Sequence, residues 1–203
     1  MNLVWRPALL LAGLLLAGVA IRSGAGRDAL DAPAQAGPFA FVAFAALACA
    51  VGVPRQLTAY AAGLGFGLVG GCVLSLAAQL IGCAADFAWA RWVGRAWAAR
   101  RIRGRVARLE AALTRRPFVA ALTLRLLPVG SNLVLNLLAG VSAIAAGPFL
   151  AGSAIGFVPQ TIVFGLLGAG VRVGQGAQLA LAVVLFGVSS AFGLFLLRQS
   201  RLP

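Results

Sequence analysis

The sequence predicts an all-α polytopic membrane protein with about four transmembrane helices and two inverted re-entrant helical hairpins. Hydrophobic residues make up 62% of the 203 positions, charged residues make up 10%, and the mean hydropathy is +0.99. A soluble domain carries roughly a quarter charged residues. Residues 126–171 contain no charge at all, although one membrane helix needs only ~20 apolar residues. Prolines and asparagines interrupt this stretch, and non-helical backbone in a membrane persists only where protein or a water-filled cavity satisfies it.

The net charge of +13 does not indicate a nucleic-acid partner. Nine of the seventeen arginines lie between Arg91 and Arg116. A basic cluster between hydrophobic segments follows from the positive-inside bias and from attraction to anionic lipid headgroups. We therefore expect membrane lipids as partners, and the sequence leaves the oligomeric state open, a homo-oligomer included.

The chain contains no histidine, which removes the commonest metal ligand and the His-based catalytic triads. Cys49, Cys72 and Cys83 lie in apolar runs without metal-ligand spacing, and we interpret them as small packing residues. We predict no metal, no cofactor and no enzymatic activity.

The two ends of the chain are predicted to be membrane helices. Residues 1–37 contain an uncleaved first helix, because no convincing small-x-small cleavage site follows it, and then a polar external loop. Residues 173–203 contain a last uncharged span and a basic tail.

Between these ends, residues 38–172 form a membrane domain with an internal repeat. The units 38–90 and 117–170 are joined by a basic cytoplasmic segment, 91–116. Each unit begins with Pro-Phe, reaches another proline, resumes through Ala-Gly and ends in a long apolar helix. The order of these features, more than their identity, indicates the repeat.

The placement of charge predicts the topology. If the N-terminus is cytoplasmic and each short pair of limbs returns to the side it entered from, the nine-arginine cluster, Arg198 and Arg201 lie inside. The two units are then inverted, as in many secondary transporters that bind substrate near the midplane. Six full spans put the cluster on the same side, so charge alone leaves that alternative open.

Three motifs are similar to those of one membrane-protein family. The segment 125–140, RLLPVGSNLVLNLLAG, resembles the Arg-x-x-Pro signature of the DedA superfamily, also called the SNARE-associated Golgi protein or VTT-domain family. The segment 54–67, PRQLTAYAAGLGFG, is similar to its upstream glycine motif. Ala90-Arg91 with Gly94-Arg95 resembles the Arg-rich end of the helix that follows.

The resemblance implies two opposed re-entrant hairpins and a role in lipid translocation or scrambling, in a bacterial inner membrane. Ser131 stands where the DedA-proper branch has a second arginine, so the chain is closer to the Golgi-type branch. Some bacterial members are implied to use the proton-motive force. The first hairpin here has no embedded glutamate, which argues against that mechanism. The alternative function is a non-transporting protein that organises the membrane.

Arg125 is the first candidate site residue, together with Pro128 of its motif. A charge inside an apolar limb costs ~2.5–3.5 kcal/mol on insertion scales, so it should face a cavity or a partner. Arg125 offers two parallel donors to a lipid phosphate, or it caps carbonyls at the hairpin tip. Arg55 occupies the equivalent break of the first unit, and we predict that the two arginines line one polar cavity near the midplane.

Three polar residues follow Arg125 on the next limb. Ser131 and Asn132 are suited to cap its N-terminus, and helix N-termini bind anions through free N–H groups. Asn132 and Asn136 are also suited to hydrogen bonds between helices. We count all three as candidate substrate-binding residues.

Asp86 is the only acidic residue inside a hydrophobic run. It is a candidate for proton or ion coupling. It also lies beside Trp89 and five residues before Arg91, near the membrane interface, where pairing with a cytoplasmic arginine is common.

Overall fold

The computed structural model describes residues 35–94, 114–126 and 131–170, together with single helical positions at 184, 187 and 191. The three described stretches contain no strand and form five α-helices: α1 (Pro38–Ala50), α2 (Arg55–Trp89), α3 (Pro117–Leu126), α4 (Asn132–Val141) and α5 (Ala146–Gly168). A π-helical turn, Ala90–Gly94, continues α2. By length and composition, α2 with this turn and α5 can each cross a membrane.

Several predicted features lie outside the described residues. They are the first transmembrane helix and its loop, most of the basic segment 91–116, Pro128, and the C-terminal span. The predicted total of four spans therefore stays a prediction.

The first break of the chain has a well-defined local cause. The N–H of Val53 donates to Ala48 O at 2.9 Å and that of Gly52 to Cys49 O at 3.1 Å, which is the hydrogen-bond pattern of a Schellman C-cap. Gly52 adopts φ 93°, a left-handed conformation that glycine tolerates. Pro54 then forms the N-cap of α2. The chain thus leaves α1 and enters α2 within residues 51–54.

A second break divides α2 itself. Gly67 has φ 71° and ψ −177°, so the helical backbone is interrupted after a first limb of residues 55–66. In the second unit, residues 142–145 separate α4 from α5. Both units therefore have the order short helix, break, short helix, break, long helix.

The two units pack on one another through their Ala-Gly pairs. A Cβ added at Gly63 would lie 2.3 Å from Gly165 O on α5, and one added at Gly140 would lie 2.4 Å from Phe87 O on α2. Each pair thus contacts the last turns of the other unit's long helix. Close backbone approach at small residues is how helices associate in membranes, where water provides no hydrophobic driving force.

Each unit also packs its own first helix against its own long helix. A Cβ at Gly82 would lie 2.7 Å from Ala46 O of α1, and one at Gly152 would lie 2.4 Å from Phe118 O of α3. The repeat inferred from the sequence order thus has matching contacts in space. It also brings the N-termini of α2 and α4 together, since Gly52 lies against the side chain of Leu133.

Candidate functional site

Arg125 lies in the last turn of α3 and is only 3% exposed. Its Nε donates to Ser153 Oγ at 3.2 Å, its Nη1 to Asn132 Oδ1, and its Nη2 to Asn136 Oδ1 and Cys83 Sγ. These partners come from α2, α4 and α5. Four of the five guanidinium hydrogens therefore have partners inside the protein.

Asn136 connects Arg125 to Asp86. The Asn136 side chain is fully buried, and its Nδ2 donates to Asp86 Oδ2 at 2.9 Å while its Oδ1 accepts from Arg125. The amide therefore bridges a guanidinium and a carboxylate without direct contact between them. Paired, hydrogen-bonded charges avoid most of the penalty of an isolated charge in a low-dielectric interior. Asp86 is thus part of the buried network of Arg125, and the guanidinium of Arg91 donates to backbone carbonyls.

Arg91 stabilises the end of α4. Its Nε donates to Gly140 O at 3.1 Å, and its Nη2 donates to Ser142 O at 2.9 Å and Ile144 O at 2.7 Å. Its guanidinium carbon also lies 4.4 Å from the centre of the Phe87 ring. A cation at carbonyls that lack helical partners satisfies them and complements the negative end of the helix dipole. We interpret Arg91 as a structural residue.

Arg55 begins α2 and is 9% exposed. Its Nη2 donates to Gln160 Oε1 at 2.7 Å. The neighbouring Gln56 donates through Nε2 to the same oxygen at 3.5 Å. Nη1 of Arg55 is buried and has no hydrogen-bond partner among the described residues. Fewer N–H groups of Arg55, at the first break, thus have hydrogen-bond partners than those of Arg125, at the second.

The two arginines converge on one aromatic ring. The guanidinium carbon of Arg55 lies 4.6 Å, and that of Arg125 lies 4.9 Å, from the centre of Phe157. Phe157 is fully buried near the middle of α5. A π face attracts cations, so the ring favours two like charges in one neighbourhood. The shared polar cavity predicted for these arginines stays a prediction.

The other predicted site residues differ in position. Asn132 and Asn136 lie in the network of Arg125. Ser131 is the N-cap of α4, where its exposed hydroxyl accepts from Val134 N at 3.5 Å. Its role here is capping, as one of the two interpretations expected. Asp86 joins the network through Asn136.

Sequence reasoning missed the contribution of α5. Ser153, Phe157 and Gln160 are spaced four and three residues apart, so they lie on one helical face toward the arginines. The available signal was that the polar residues Ser153 and Gln160 lie on one face of a long apolar helix, which indicates polar partners inside the protein. Cys83 was interpreted as packing only. It is fully buried, and its thiol also donates to Asn136 Oδ1 at 3.2 Å.

The described residues contain no group of three or more His, Cys, Asp or Glu side chains arranged to hold a metal. The polar groups that the two arginines and Asp86 bring together are guanidinium groups, amides, a hydroxyl, a thiol and one carboxylate.

Comparison with known proteins decides the family. The model of the VTT domain matches residues 53–170, more than half of the chain. The chain belongs to the VTT-domain family. This confirms the resemblance based on the motifs of residues 54–67 and 125–140, and the match includes Arg55, Asp86, Arg125 and their partners.

One relative is the uncharacterized protein YqeD of Bacillus subtilis (strain 168), which is 32% identical over 119 residues. The alignment covers 58% of this chain and 57% of YqeD, so the chain spans little more than half of that relative. No solved structure matches the chain. Family membership and the two long apolar helices indicate a membrane protein. The Golgi-type assignment, made from Ser131, stays a prediction.

Proposed function

We propose that this VTT-domain protein moves an anionic lipid between the leaflets of a bacterial inner membrane, and that the lipid headgroup passes the Arg55–Arg125 site. The observation that carries the proposal is the pair of buried arginines at Phe157. The described residues contain one carboxylate side chain, Asp86, for these two guanidinium groups. An anionic headgroup supplies the missing negative charge.

The lengths of the short helices support re-entrant hairpins. At 1.5 Å per residue, the 13 residues of α1 span about 20 Å, and the 10 residues of α3 or α4 span about 15 Å. The hydrocarbon core is ~30 Å thick, so none of these helices crosses it alone. We propose that the hairpin containing α1 enters from outside, that the hairpin containing α3 and α4 enters from the cytoplasm, and that their tips meet at Gly52 and Leu133.

A polar region between two hairpin tips, inside the membrane, is suited to the passage of a lipid headgroup. The backbone of residues 51–54 is not helical, and such backbone in a bilayer requires protein or a water-filled cavity around it. The headgroup would cross in this polar region while the acyl chains stay in the hydrocarbon. This scheme needs binding and release but no covalent chemistry, so we propose a non-enzymatic function.

A second candidate is a membrane-organising protein without transport. The observation in its favour is that four of the five guanidinium hydrogens of Arg125 have internal partners, as expected of a polar core that serves folding. The two candidates differ at Arg55, whose Nη1 has no described partner. A purely structural role predicts that lipid distribution does not depend on Arg55.

We also propose that transport is passive, or only weakly driven by protons. One proton crossing 100 mV yields ~2.3 kcal/mol, but only through a group that lies within the field and alternates its access. Asp86 is the sole described acidic side chain, and its hydrogen bond to Asn136 lies in the last turns of α2. Because Asp86 is held in the buried network of Arg125, we infer that its carboxylate does not alternate its access to the two sides of the membrane.

Reconstitution tests these proposals. Purified protein is placed in vesicles whose fluorescent phosphatidylglycerol can be bleached from outside, and the loss of the inner-leaflet signal is followed with and without a pH gradient. Wild type is expected to expose the inner leaflet in both conditions, and Arg55→Gln is expected to slow this. Signal loss equal to that of empty vesicles would contradict transport. Lipid accumulation that requires the gradient and disappears in Asp86→Asn would contradict the passive mechanism.

A further inference from the structure

The two breaks are related by the repeat, yet their polar groups are satisfied to different extents. At the second break, Arg125 has four partners and Ser131 caps α4. At the first break, α2 has Pro54 at its N-cap position and no side-chain cap. Arg55, its first residue, has a buried Nη1 without a described partner. Unpaired buried donors are rare in proteins, because a buried donor without a partner keeps the cost of its desolvation uncompensated.

From this difference we infer that the first break is an oxyanion-binding site, in which Arg55 and Gln56 contact the ligand and Gln160 positions them. Arg125, most of whose donors are taken by internal partners, contributes its charge to the site and donates no hydrogen bond to the ligand. The inference deepens the proposed function, because it names the group that holds the headgroup and the chemistry that is held.

The geometry supports three contributions to such a site. Nη1 of Arg55 offers two charged N–H donors. Gln56 Nε2 and Arg55 Nη2 both donate to Gln160 Oε1, so the Gln56 amide lies beside the guanidinium. The second hydrogen of Gln56 Nε2 can donate to a ligand. The uncapped N-terminus of α2 contributes N–H groups and the positive end of the helix dipole. Residues 51–54, which precede it, are exposed.

Gln160 is the residue that makes the site selective for an added anion. Its Oε1 accepts from Arg55 Nη2 at 2.7 Å and holds the guanidinium against Phe157. A neutral amide orients the cation without neutralising it. A carboxylate at the same position would neutralise it, and would compete with any ligand of the same charge.

Gln160→Glu is therefore the decisive variant, because it supplies an internal oxyanion of nearly the same size. Arg55→Gln removes the charge and keeps an amide that can pair with Gln160. Thr161→Val is the matched control. Thr161 is adjacent and also buried, and its hydroxyl accepts from Gln79 Nε2 at 3.2 Å, whereas Arg55 donates to Gln160. Arg125→Lys tests the supporting network, because Lys keeps the charge and loses the fork of donors.

The experiment is calorimetric titration of the full chain in phosphatidylcholine nanodiscs, with empty nanodiscs as the blank. The probes are inorganic phosphate and, separately, dihexanoyl phosphatidic acid. Thermal unfolding of every variant shows that it is folded before it is titrated. Wild type and Thr161→Val are expected to bind with equal affinity. Arg55→Gln and Gln160→Glu are expected to bind roughly 10- to 100-fold more weakly, the effect of one charge-assisted hydrogen bond.

Folded Arg125→Lys is expected to unfold at lower temperature and to bind like wild type. Binding of both probes indicates phosphate as the recognised group, and binding of the lipid alone indicates the headgroup in its membrane context. Wild-type affinity in Arg55→Gln or in Gln160→Glu would overturn the inference, as would absence of binding to wild type. If binding behaves as expected while labelled lipid does not cross vesicles, the proposed function fails and this site stands.

Discussion

Replacement of Asn136 by leucine should strongly destabilise the protein. Leucine has the same number and branching of side-chain heavy atoms and is somewhat larger, so the change leaves no cavity. It removes the acceptor for Arg125 Nη2 and the donor to Asp86 Oδ2. Both charged groups then stay buried without the bridge between them. Breaking a buried charge network on one side costs about 3–5 kcal/mol.

A graded set of variants separates this effect from general disturbance of α4. Asn132→Leu removes one charge-assisted hydrogen bond to Arg125, and should cost about 1.5–3 kcal/mol. Gln79→Leu breaks a neutral buried pair with Thr161, and such pairs in membrane proteins average ~0.6 kcal/mol. The expected order of destabilisation is Asn136→Leu, then Asn132→Leu, then Gln79→Leu.

A double-mutant cycle tests the mechanism. Asp86→Asn removes the carboxylate charge and keeps an oxygen that accepts from Asn136, so in combination with Asn136→Leu the loss should be less than the sum of the two single losses. The free energy of unfolding is measured by reversible SDS titration in mixed micelles, followed by circular dichroism. Additive losses, or wild-type stability of Asn136→Leu, would refute the idea that Asn136 links the two charges.

Three further predictions concern other parts of the fold. Arg91→Ala should lower the thermal unfolding temperature, because the carbonyls of Gly140, Ser142 and Ile144 lose their donor; Arg91→Lys should restore only part of it, and an unchanged melting curve for Arg91→Ala would contradict the structural role. Gly140→Ala should reduce the yield of folded protein, since its Cβ meets Phe87 O at 2.4 Å, whereas Gly147→Ala meets nothing within 4 Å; equal yields would argue against the Ala-Gly contact. Cysteines introduced at Pro38 and Val69, in a background without native cysteines, should both react with an impermeant maleimide from the outer face, and labelling from opposite faces would rule out the first hairpin.

The first helix break was predictable because proline acts locally. Pro54 has no N–H to donate to the preceding turn, so it marked the first break. The sequence did not distinguish Gly52 and Gly67, which adopt the positive φ values at the two breaks, from the other glycines. Arg125, Asn132 and Asn136 were also predictable as a group. They are close in sequence, and the two asparagines lie one turn apart on α4.

The partners of these groups could not be predicted from one sequence. Asp86 and Asn136 are 50 residues apart, and Arg55 and Gln160 are 105 residues apart. Their contacts depend on how the two units cross, which is determined by backbone contacts between glycines such as Gly63 and Gly165. A local pattern shows that a buried polar residue needs a partner, but not which long helix provides it.

The repeat explains why the two arginines were first interpreted as equivalent, and its departures explain why they are not. At the second break, Asn132 and Asn136 follow Arg125 and accept hydrogen bonds from its guanidinium, and Asn136 in turn donates to Asp86. At the first break, Arg55 stands inside the new helix and its partner is a single neutral glutamine. Two repeat units of similar fold can therefore have different roles. A guanidinium with internal partners stabilises the structure, whereas one with an unpaired donor can bind a ligand. The buried Nη1 of Arg55, which has no described partner and lies where two helix breaks approach each other, is the observation that supports the proposed anion site.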